Sequence, residues 1–347
     1  LYKLYFRDVD INGKIIETVT YAVDPYANSV SVNGDKGYVL DINEKSTKPI
    51  GFTNHPSPIL SEKDDSIIYE MHIRDFTIDE SSGVINDLRG TYLGAVEENT
   101  IYKNPYNGKY VKTGIDHLCE LGITHVHLMP IFDFGSVDER FPGSNNRNWG
   151  YDPKNFNVPE GSYCSNPYNP VTRILELRQM IMKFHERGIR VVMDMVYNHM
   201  MSTVNMDNIV PGYYFRSDYL GRYTNGSGCG NELASERPMV RKFIIDSCLH
   251  WIKDYKIDGI RFDLMELLDI DTTKEIVKKT TKLDKNFLIY GEPWKGGSSP
   301  LVNGTYKGSQ KNENFSIFND TFRDAIRGNN HPSSGFINGN QYSSICN

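Results

Sequence analysis

From residue 66 onward, short runs of apolar residues alternate with longer segments whose apolar side chains recur every three or four positions. In the segment 171–188, for example, Ile174, Leu177 and Ile181 fall on one helical face, and Gly188 is a residue type that commonly ends a helix. The repetition of an apolar strand and an amphipathic helix predicts a parallel sheet covered by helices. The predicted strands lie within residues 66–73, 123–130, 189–199, 257–265 and 286–294, with a sixth around 315–320.

The connections that follow several of these strands are long. Residues 74–110 and 131–170 are rich in Gly, Asn, Pro and Tyr, and residues 198–236 are numerous enough to form a small inserted subdomain. Because each connection follows a strand, the additional chain falls at the carboxyl ends of the sheet, where α/β barrel enzymes build their active sites. The pattern is therefore typical of a barrel-type enzyme with its active site at the carboxyl ends of the strands.

The first 50 residues follow a different pattern, in which apolar and polar positions alternate along short strands. One alternating stretch surrounds Asn12–Gly13 and a second surrounds Asn33–Gly34, and both dipeptides are typical of hairpin turns. We therefore expect two hairpins, which together form the end of a β-sandwich module at residues 1–50.

Composition narrows the possible partners. Of the 347 residues, 39% are hydrophobic, and 38 basic against 44 acidic side chains give a net charge of −6. This acidic balance argues against nucleic acid and anionic membranes as partners, because both attract basic surfaces. The cysteines are widely spaced and odd in number, which predicts free thiols and a reducing compartment. No signal peptide is visible after Leu1, and we expect a cytoplasmic monomer. The cysteines are Cys119, Cys164, Cys229, Cys248 and Cys346.

Three of the predicted strands carry an acid near the carboxyl end. Asp194 precedes Asn198 and His199, Asp263 ends the next strand, and Glu292 stands before Pro293. Asp263 and Glu292 are separated by 292 − 263 = 29 residues, about one βαβ repeat. We therefore expect them on adjacent strands at the same end of the sheet.

The neighbours of these two acids suggest different pKa values. Arg261 shares a strand face with Asp263 and is expected to lower the pKa of that carboxyl, as a nucleophile requires. Tyr290 and Trp294 flank Glu292 with apolar surface that favours its protonated form. One charged and one protonated carboxyl, about 5 to 5.5 Å apart, are the pair that a retaining glycosidase needs.

Each of these features also has a purely structural explanation. An acid at a strand end is commonly a helix N-cap, Arg261 and Asp263 can form a structural ion pair, and Glu292 can cap a loop. Three acids at successive strand ends are, however, explained economically by a barrel active site. The strand-end pattern leaves the substrate open.

Aromatic residues and histidines add further candidates. Trp149 and Tyr151 stand in the Gly- and Asn-rich loop "NWGYDP" and offer a platform for the flat face of a sugar, although most tyrosines pack in cores. His125 and His127 lie on one face of a strand, but no further ligand completes a metal set nearby. We therefore expect packed or hydrogen-bonded histidines, no metal centre and no cofactor, while a structural calcium stays open.

The chain resembles the type I pullulanases of the α-amylase superfamily. The segments "DMVYNH", "GIRFDLM" and "GEPW" are similar to the first three signatures of that superfamily, and they stand in the correct order. The loop "NWGYDP" is similar to the segment that marks pullulanases among debranching enzymes, and "YEMHIRDFT" fits their first barrel strand. The resemblance extends from about residue 67 to residue 336, and the preceding β segment is similar to the end of their starch-binding-type sandwich.

The resemblance implies a retaining glycoside hydrolase that cleaves α-1,6-glucosidic branch linkages in pullulan, amylopectin or glycogen-type α-glucans. By motif position, Asp263 is implied as the nucleophile and Glu292 as the general acid that later becomes the base. Arg261 is implied to orient Asp263 and to keep it ionised.

The same comparison implies a set of substrate-binding residues. His199 and Asp194 are implied to line the subsite of the distorted glucose, and Tyr151 to stack beneath that sugar. Met265 and Trp294 are implied to shape the site around the branch.

The fourth signature of the family, a His-Asp pair on the seventh barrel strand, has no match before Asn347. We therefore expect residues 51–347 to form an incomplete (β/α)8 TIM barrel, truncated before its last strands, and a chain that is inactive by itself. The alternatives are a branching enzyme or isoamylase-like relative, and a non-hydrolytic fragment that binds α-glucan.

Overall fold

The computed structural model describes residues 1–141, 147–328 and 335–340. Its strands are, in chain order, β1 (Tyr2–Val9), β2 (Ile15–Ala22), β3 (Ile68–Met71), β4 (Ile101–Lys103), β5 (Tyr110–Lys112), β6 (His125–Leu128), β7 (Phe132–Phe134), β8 (Pro153–Pro159), β9 (Arg190–Met195), β10 (Gly259–Phe262), β11 (Leu288–Gly291) and β12 (Ser316–Ile317). Its α-helices are α1 (Ile73–Thr77), α2 (Gly114–Glu120), α3 (Pro170–Glu186), α4 (Val204–Asp207), α5 (Pro238–Tyr255), α6 (Ile270–Leu283) and α7 (Asp320–Arg327).

Six of these strands form one sheet in the order β12-β11-β10-β9-β6-β3, and all neighbouring pairs are parallel. They include all five strands predicted from the apolar runs and the sixth, which is the short β12. In the described residues, a helix follows each of these strands along the chain except β11, which leads directly to β12, so that the fold consists mainly of successive strand and helix units of a (β/α) barrel. The predicted fold class is thereby confirmed.

The sheet owes its stability to two faces that bury different side chains. On β9, Val191 and Met193 belong to the large hydrophobic core that the sheet shares with the helices. Val192, on the opposite face, packs instead with Leu288 and Tyr290. Full burial of such an aliphatic side chain contributes about 1.5–3 kcal/mol, which explains why both faces of these strands are apolar.

The helix boundaries follow from local sequence. Pro170 begins α3, and the Asn169 side chain caps it by accepting a hydrogen bond from the Val171 N–H. Gly188 follows the end of the helix at φ 77°, a conformation that glycine adopts without a Cβ clash. The sequence signals for the start and end of this helix are confirmed.

The N-terminal segment confirms one predicted hairpin and corrects the other. β1 and β2 pair antiparallel around Asn12–Gly13, as predicted. Around Asn33–Gly34 the chain also turns back antiparallel, through a 3-10 turn with a single bridge between Val30 and Gly37, but the expected extended strands do not form. The physical reason is tertiary: the turn binds the connection that contains β7 and β8. Lys154 Nζ donates to the Asn33 carbonyl at 2.6 Å, and Asn155 Nδ2 donates to the Gly34 carbonyl at 3.0 Å.

The connection of residues 198–236 contains α4 and two isolated β-bridges, and it contacts the N-terminal hairpin. Asn205 Oδ1 accepts from the Val23 N–H at 2.7 Å, and Thr20 Oγ1 donates to the Asn208 carbonyl at 2.7 Å. The assignment of residues 1–50 to a β-sandwich stays a prediction, as does the separate subdomain.

Cysteines 119, 164, 229 and 248 are free thiols, as predicted, whereas Cys346 lies outside the described residues. Among the residues that the structure describes, no helix has the length and apolar character needed to cross a membrane.

Candidate active site

Strand register brings the predicted acids together. Arg261 on β10 pairs with Asp194 on β9 and with Tyr290 on β11. Asp263 and Glu292 each follow two residues further along, at the carboxyl ends of adjacent parallel strands. Because residues two apart share a strand face, the three acids converge at one end of the sheet, as the sequence predicts.

One guanidinium group binds all three carboxylates. Arg261 Nη1 lies 2.8 Å from Asp194 Oδ1 and 3.0 Å from Asp263 Oδ1. Arg261 Nη2 lies 2.6 Å from Glu292 Oε1. The two candidate catalytic carboxylates therefore stand at the two ends of a single planar group, which fixes their relative orientation.

The charge balance of this cluster is uneven, because one cation faces three acids. Burial lowers the pKa of the Arg261 guanidinium, but Asp194, Asp263 and Glu292 outweigh burial and raise it. Burial likewise raises the pKa of Asp194, but Arg261 and His127 outweigh it, so that the Asp194 pKa is lowered. Asp194 is accordingly a buried carboxylate that stays ionised.

The pKa of Asp263 differs from the one that the sequence predicts. Burial and the nearby Asp194 charge outweigh the attraction of Arg261 and raise the Asp263 pKa to about 7. Arg261 does favour the charged form, as expected, but it also binds two other carboxylates, and the net pKa is raised and not lowered. Asn198 Nδ2 donates to Asp263 Oδ2 at 2.7 Å and favours the charged form.

Glu292 has a hydrogen-bond donor at each carboxylate oxygen. Besides Arg261 at Oε1, the Leu264 N–H donates to Oε2 at 3.1 Å. The aromatic residues expected to flank Glu292 instead pack on a third ring, because Phe318 contacts Tyr290 edge-on and stacks with Trp294. Glu292 is thus held by polar groups in the structure.

A cleft of about 650 Å³ opens above these carboxylates. Trp149 lines the cleft with its side chain 57% exposed, and the Arg147 guanidinium lies 6.0 Å from its ring centre. Tyr151 also lines the cleft, and its hydroxyl donates to Asp194 Oδ2 at 2.8 Å. Among the cleft-lining residues of the described ranges are also His199, Arg261, Asp263 and Glu292.

Three predicted substrate-binding residues do not line this cleft, since Trp294 stacks on Phe318 and the other two are fully buried. Asp194 is fully buried beneath the cleft, where it holds Arg261 and Tyr151. Met265 is fully buried in the large hydrophobic core. Their placement gives both residues a supporting position behind the cleft surface, and the predicted direct contacts stay untested.

Sequence reasoning missed three contributions. Asn198 orients Asp263, the Leu264 backbone binds Glu292, and the His127 Nε2 atom stands 3.5 Å from Asp194 Oδ2. The position of Asn198, directly before His199 in a strand-end motif, is a signal that could have found it. His125, two residues from His127, contacts the Thr124 hydroxyl instead.

A separate group of buried carboxylates can hold a metal ion. Oxygens of Asp133, Glu139 and Glu160 lie within 4.8 Å of one another, and carboxylate oxygens suit calcium. Arg173 already binds this group, with Nη2 2.7 Å from Glu139 and Nη1 3.3 Å from Asp133. Burial raises the pKa of Asp133 to about 7 and that of Glu160 to about 8, which lowers the negative charge offered to a cation.

The comparisons with known proteins agree with the fold. Residues 109–210 match the model of the α-amylase catalytic domain. The chain is 43% identical to a pullulanase of Bacillus subtilis over 95% of its own length, and 34% identical to the chloroplastic isoamylase 3 of rice (Oryza sativa subsp. japonica) over 91%. It spans 44% and 41% of these relatives.

Solved structures give the same result. The crystal structure of the pullulanase from Paenibacillus barengoltzii, in complex with maltohexaose and alpha-cyclodextrin, superposes with a TM-score of 0.85 at 43% identity. The match covers 96% of this chain and 51% of that chain. By sequence, catalytic-domain match and fold together, the chain belongs to the type I pullulanases of the α-amylase superfamily.

Proposed function

We propose that the protein carrying this chain is a retaining glycoside hydrolase that cleaves α-1,6-glucosidic branch linkages in pullulan, amylopectin or glycogen-type glucans. The observation that carries the proposal is the bridge through Arg261, which holds Asp263 and Glu292 at the carboxyl ends of adjacent strands. Retaining hydrolysis needs two carboxyl groups on either side of one glycosidic bond, and this bridge supports such a pair.

Asp263 is proposed to act as the nucleophile. Its carboxylate attacks the anomeric carbon of the glucose at the branch, and a covalent glycosyl ester forms as the bond to the departing glucan breaks. Because burial raises the Asp263 pKa to about 7, positive charge that develops on the sugar helps to ionise this group. Asn198 and Arg261 orient the attacking oxygens through one hydrogen bond each.

Glu292 is proposed to act as general acid and then as general base. In the first step its carboxyl gives a proton to the oxygen of the departing glucan, and in the second it takes a proton from the attacking water. Arg261 and the Leu264 N–H, which bind its two oxygens, stabilise the carboxylate that proton donation leaves behind.

The cleft walls are proposed to bind the glucan. Trp149 offers an exposed ring to a sugar face, whereas Tyr151 is held in place by its hydroxyl bond to Asp194. The relative from Paenibacillus barengoltzii binds maltohexaose and alpha-cyclodextrin, which supports an α-glucan as the ligand of this cleft as well.

The test is incubation of the protein that carries this chain with pullulan, with glycogen and with unbranched amylose. We expect new reducing ends from pullulan and glycogen and none from amylose. Glycogen cleavage without pullulan cleavage would favour an isoamylase-like activity. Transfer of glucan chains without new reducing ends would favour a branching enzyme. Equilibrium binding of branched glucan without any cleavage would favour the alternative of a non-hydrolytic glucan-binding protein.

We further propose a cytoplasmic monomer, a view that the four free thiols of the described residues support. Residues 1–50 are proposed to be the end of a starch-binding-type sandwich, and residues 51–347 to be barrel with a subdomain at about 198–236. Cell fractionation and light scattering test the location and the oligomeric state.

A further inference from the structure

We infer that Leu264 is a positioning residue for Glu292, and that it acts through a left-handed backbone conformation that aims its N–H at the Glu292 carboxylate. The inference rests on the proposed function, since it assigns Glu292 the role of proton donor. It adds a second hydrogen-bond donor to Glu292, which neither the strand-end acids nor the aromatic residues of the cleft supply.

The backbone of Leu264 lies in a region that leucine rarely adopts. Its φ and ψ are 41° and 53°. This conformation costs an L-residue with a side chain free energy and persists where surrounding structure enforces it. The strain falls directly after Asp263, at the point where the chain leaves β10.

Both sides of Leu264 are fixed by backbone hydrogen bonds. The Asp263 N–H donates to the Met195 carbonyl at 3.1 Å, which ties the preceding peptide to β9. The Leu267 N–H donates to the Leu264 carbonyl at 2.9 Å, which begins the 3-10 turn of Met265–Leu267. The chain must turn sharply between these two anchors, and the left-handed residue makes that turn.

The turn determines where the Leu264 N–H points. It donates to Glu292 Oε2 at 3.1 Å, while Arg261 Nη2 holds Oε1 at 2.6 Å. The carboxyl group is therefore bound at both oxygens, and Leu264 lines the same cleft. The Arg261 contact alone leaves the carboxyl plane free to rotate about one oxygen, whereas the second donor fixes it.

In the first, bond-breaking step, the orientation of Glu292 matters only for a bond whose cleavage needs a proton; the second step, in which Glu292 acts as base, is the same for every substrate. In branched glucan, the Glu292 proton moves to the departing sugar oxygen while the C1–O bond breaks and Asp263 bonds to C1. In an α-glycosyl fluoride, fluoride leaves as an anion without protonation, and Asp263 bonds to C1 in the same way. A loss of Glu292 orientation therefore slows the formation of the glycosyl-enzyme from branched glucan, but not its formation from the fluoride.

The experiment compares Leu264→Val with Leu264→Asn in the protein that carries this chain. Both variants remove the leucine side chain, but Asn is tolerated in the left-handed region, whereas the β-branched Val is strongly disfavoured there. For each variant we measure kcat/KM, which reports the bond-breaking step, on pullulan and on an α-maltotriosyl fluoride. Relative to Leu264→Asn, we expect Leu264→Val to lose about tenfold on pullulan and less than about twofold on the fluoride.

A general loss of structure lowers both rates together, so equal pullulan-to-fluoride ratios in the two variants overturn the inference. Absence of pullulan cleavage by the wild-type protein is instead a failure of the proposed function.

The hydrogen bond is also testable without turnover. Hydrogen exchange of the Leu264 amide is compared between wild type and Glu292→Ala, with the Asp263 amide, which donates to Met195, as the internal control. We expect Leu264 to exchange at least about tenfold faster in the variant and Asp263 to keep its rate. Unchanged exchange at Leu264 contradicts the contact itself.

Discussion

Arg261 binds Asp194 through a single nitrogen, with Nη1 2.8 Å from Asp194 Oδ1 and 2.9 Å from Oδ2. This leaves Nη2 for Glu292 and lets the same Nη1 reach Asp263. The fully buried Asp194 carboxylate thus holds the Arg261 guanidinium in place. The same guanidinium orients the carboxylates of Asp263 and Glu292, which line the cleft. The geometry gives Arg261 a structural position, and its predicted role at the two candidate catalytic carboxylates depends on the same contacts.

Replacement of Arg261 by Met is expected to lower the free energy of unfolding by about 3–5 kcal/mol, because Asp194 would remain as a buried charge without its cation. Urea denaturation followed by circular dichroism measures the change. Arg261→Lys keeps the charge but cannot reach three carboxylates, so an intermediate loss is expected. A loss below about 1 kcal/mol for the Met variant would contradict the assigned role of the pair.

Asp263→Asn is expected to abolish pullulan cleavage and to stabilise the fold at alkaline pH. The raised pKa means that ionisation costs the folded state more than the unfolded chain, so stability is lost as pH rises through about 7. The variant should therefore unfold with a free energy higher by about 1 kcal/mol or more at pH 8. Thermal and urea unfolding at pH 4 and pH 8 measure it.

Asp271→Asn, a substitution of an acid with a 75% exposed side chain, serves as the control for Asp263→Asn. It should change neither the cleavage of pullulan nor the dependence of stability on pH. Retention of near wild-type turnover in Asp263→Asn would disprove the nucleophile assignment.

The activity itself should depend on the ionisation of Asp263. With a pKa of about 7 in the free site, kcat/KM is expected to fall as pH drops below about 7. A pH series of initial rates on pullulan, at constant ionic strength, measures this acid limb. An acid limb centred near pH 4 would indicate that the substrate-free protein holds Asp263 ionised.

Trp149→Ala is expected to raise KM for pullulan about fivefold, because a stacking contact contributes on the order of 1 kcal/mol. The free energy of unfolding should change by less than about 0.5 kcal/mol, since the side chain is 57% exposed. Tyr168→Ala is the matched control, because Tyr168 is 65% exposed and lies outside the described lining of the cleft. Equal KM values for the two variants would argue against Trp149 as a sugar platform.

Gly34→Ala is expected to destabilise the docking of the N-terminal segment by about 2 kcal/mol or more. Its φ is 72°, and an added Cβ would stand 2.4 Å from Asp133 Oδ2 and 2.8 Å from Asn155 Nδ2. Gly13→Ala is the control, because Gly13 has φ 79° and an added Cβ there meets no atom within 4 Å. Its loss of about 1 kcal/mol measures the backbone strain without a clash. Urea unfolding of the two variants gives the difference, and equal losses would show that the turn does not dock tightly.

Sequence patterns alone determined the order of strands and helices and the convergence of the acids. Parallel strands bring their carboxyl ends to one edge, so Asp194, Asp263 and Glu292 had to meet once each was placed at a strand end. Gly188 marks the end of α3, and Asn12–Gly13 forms the turn between β1 and β2. Both effects depend only on a few neighbouring residues. Motif similarity then identified the family.

Tertiary structure decided what depends on competition among distant groups. Asn33–Gly34 turns the chain back as its residue types predict, but the flanking segments pair through one bridge only, and the turn is docked by Lys154 and Asn155, which bind its carbonyls. Arg261 was expected to lower the Asp263 pKa, yet it is divided among three acids, and burial prevails. Pair electrostatics and turn docking depend on every group within a few ångströms, and a linear pattern records only neighbours along the chain.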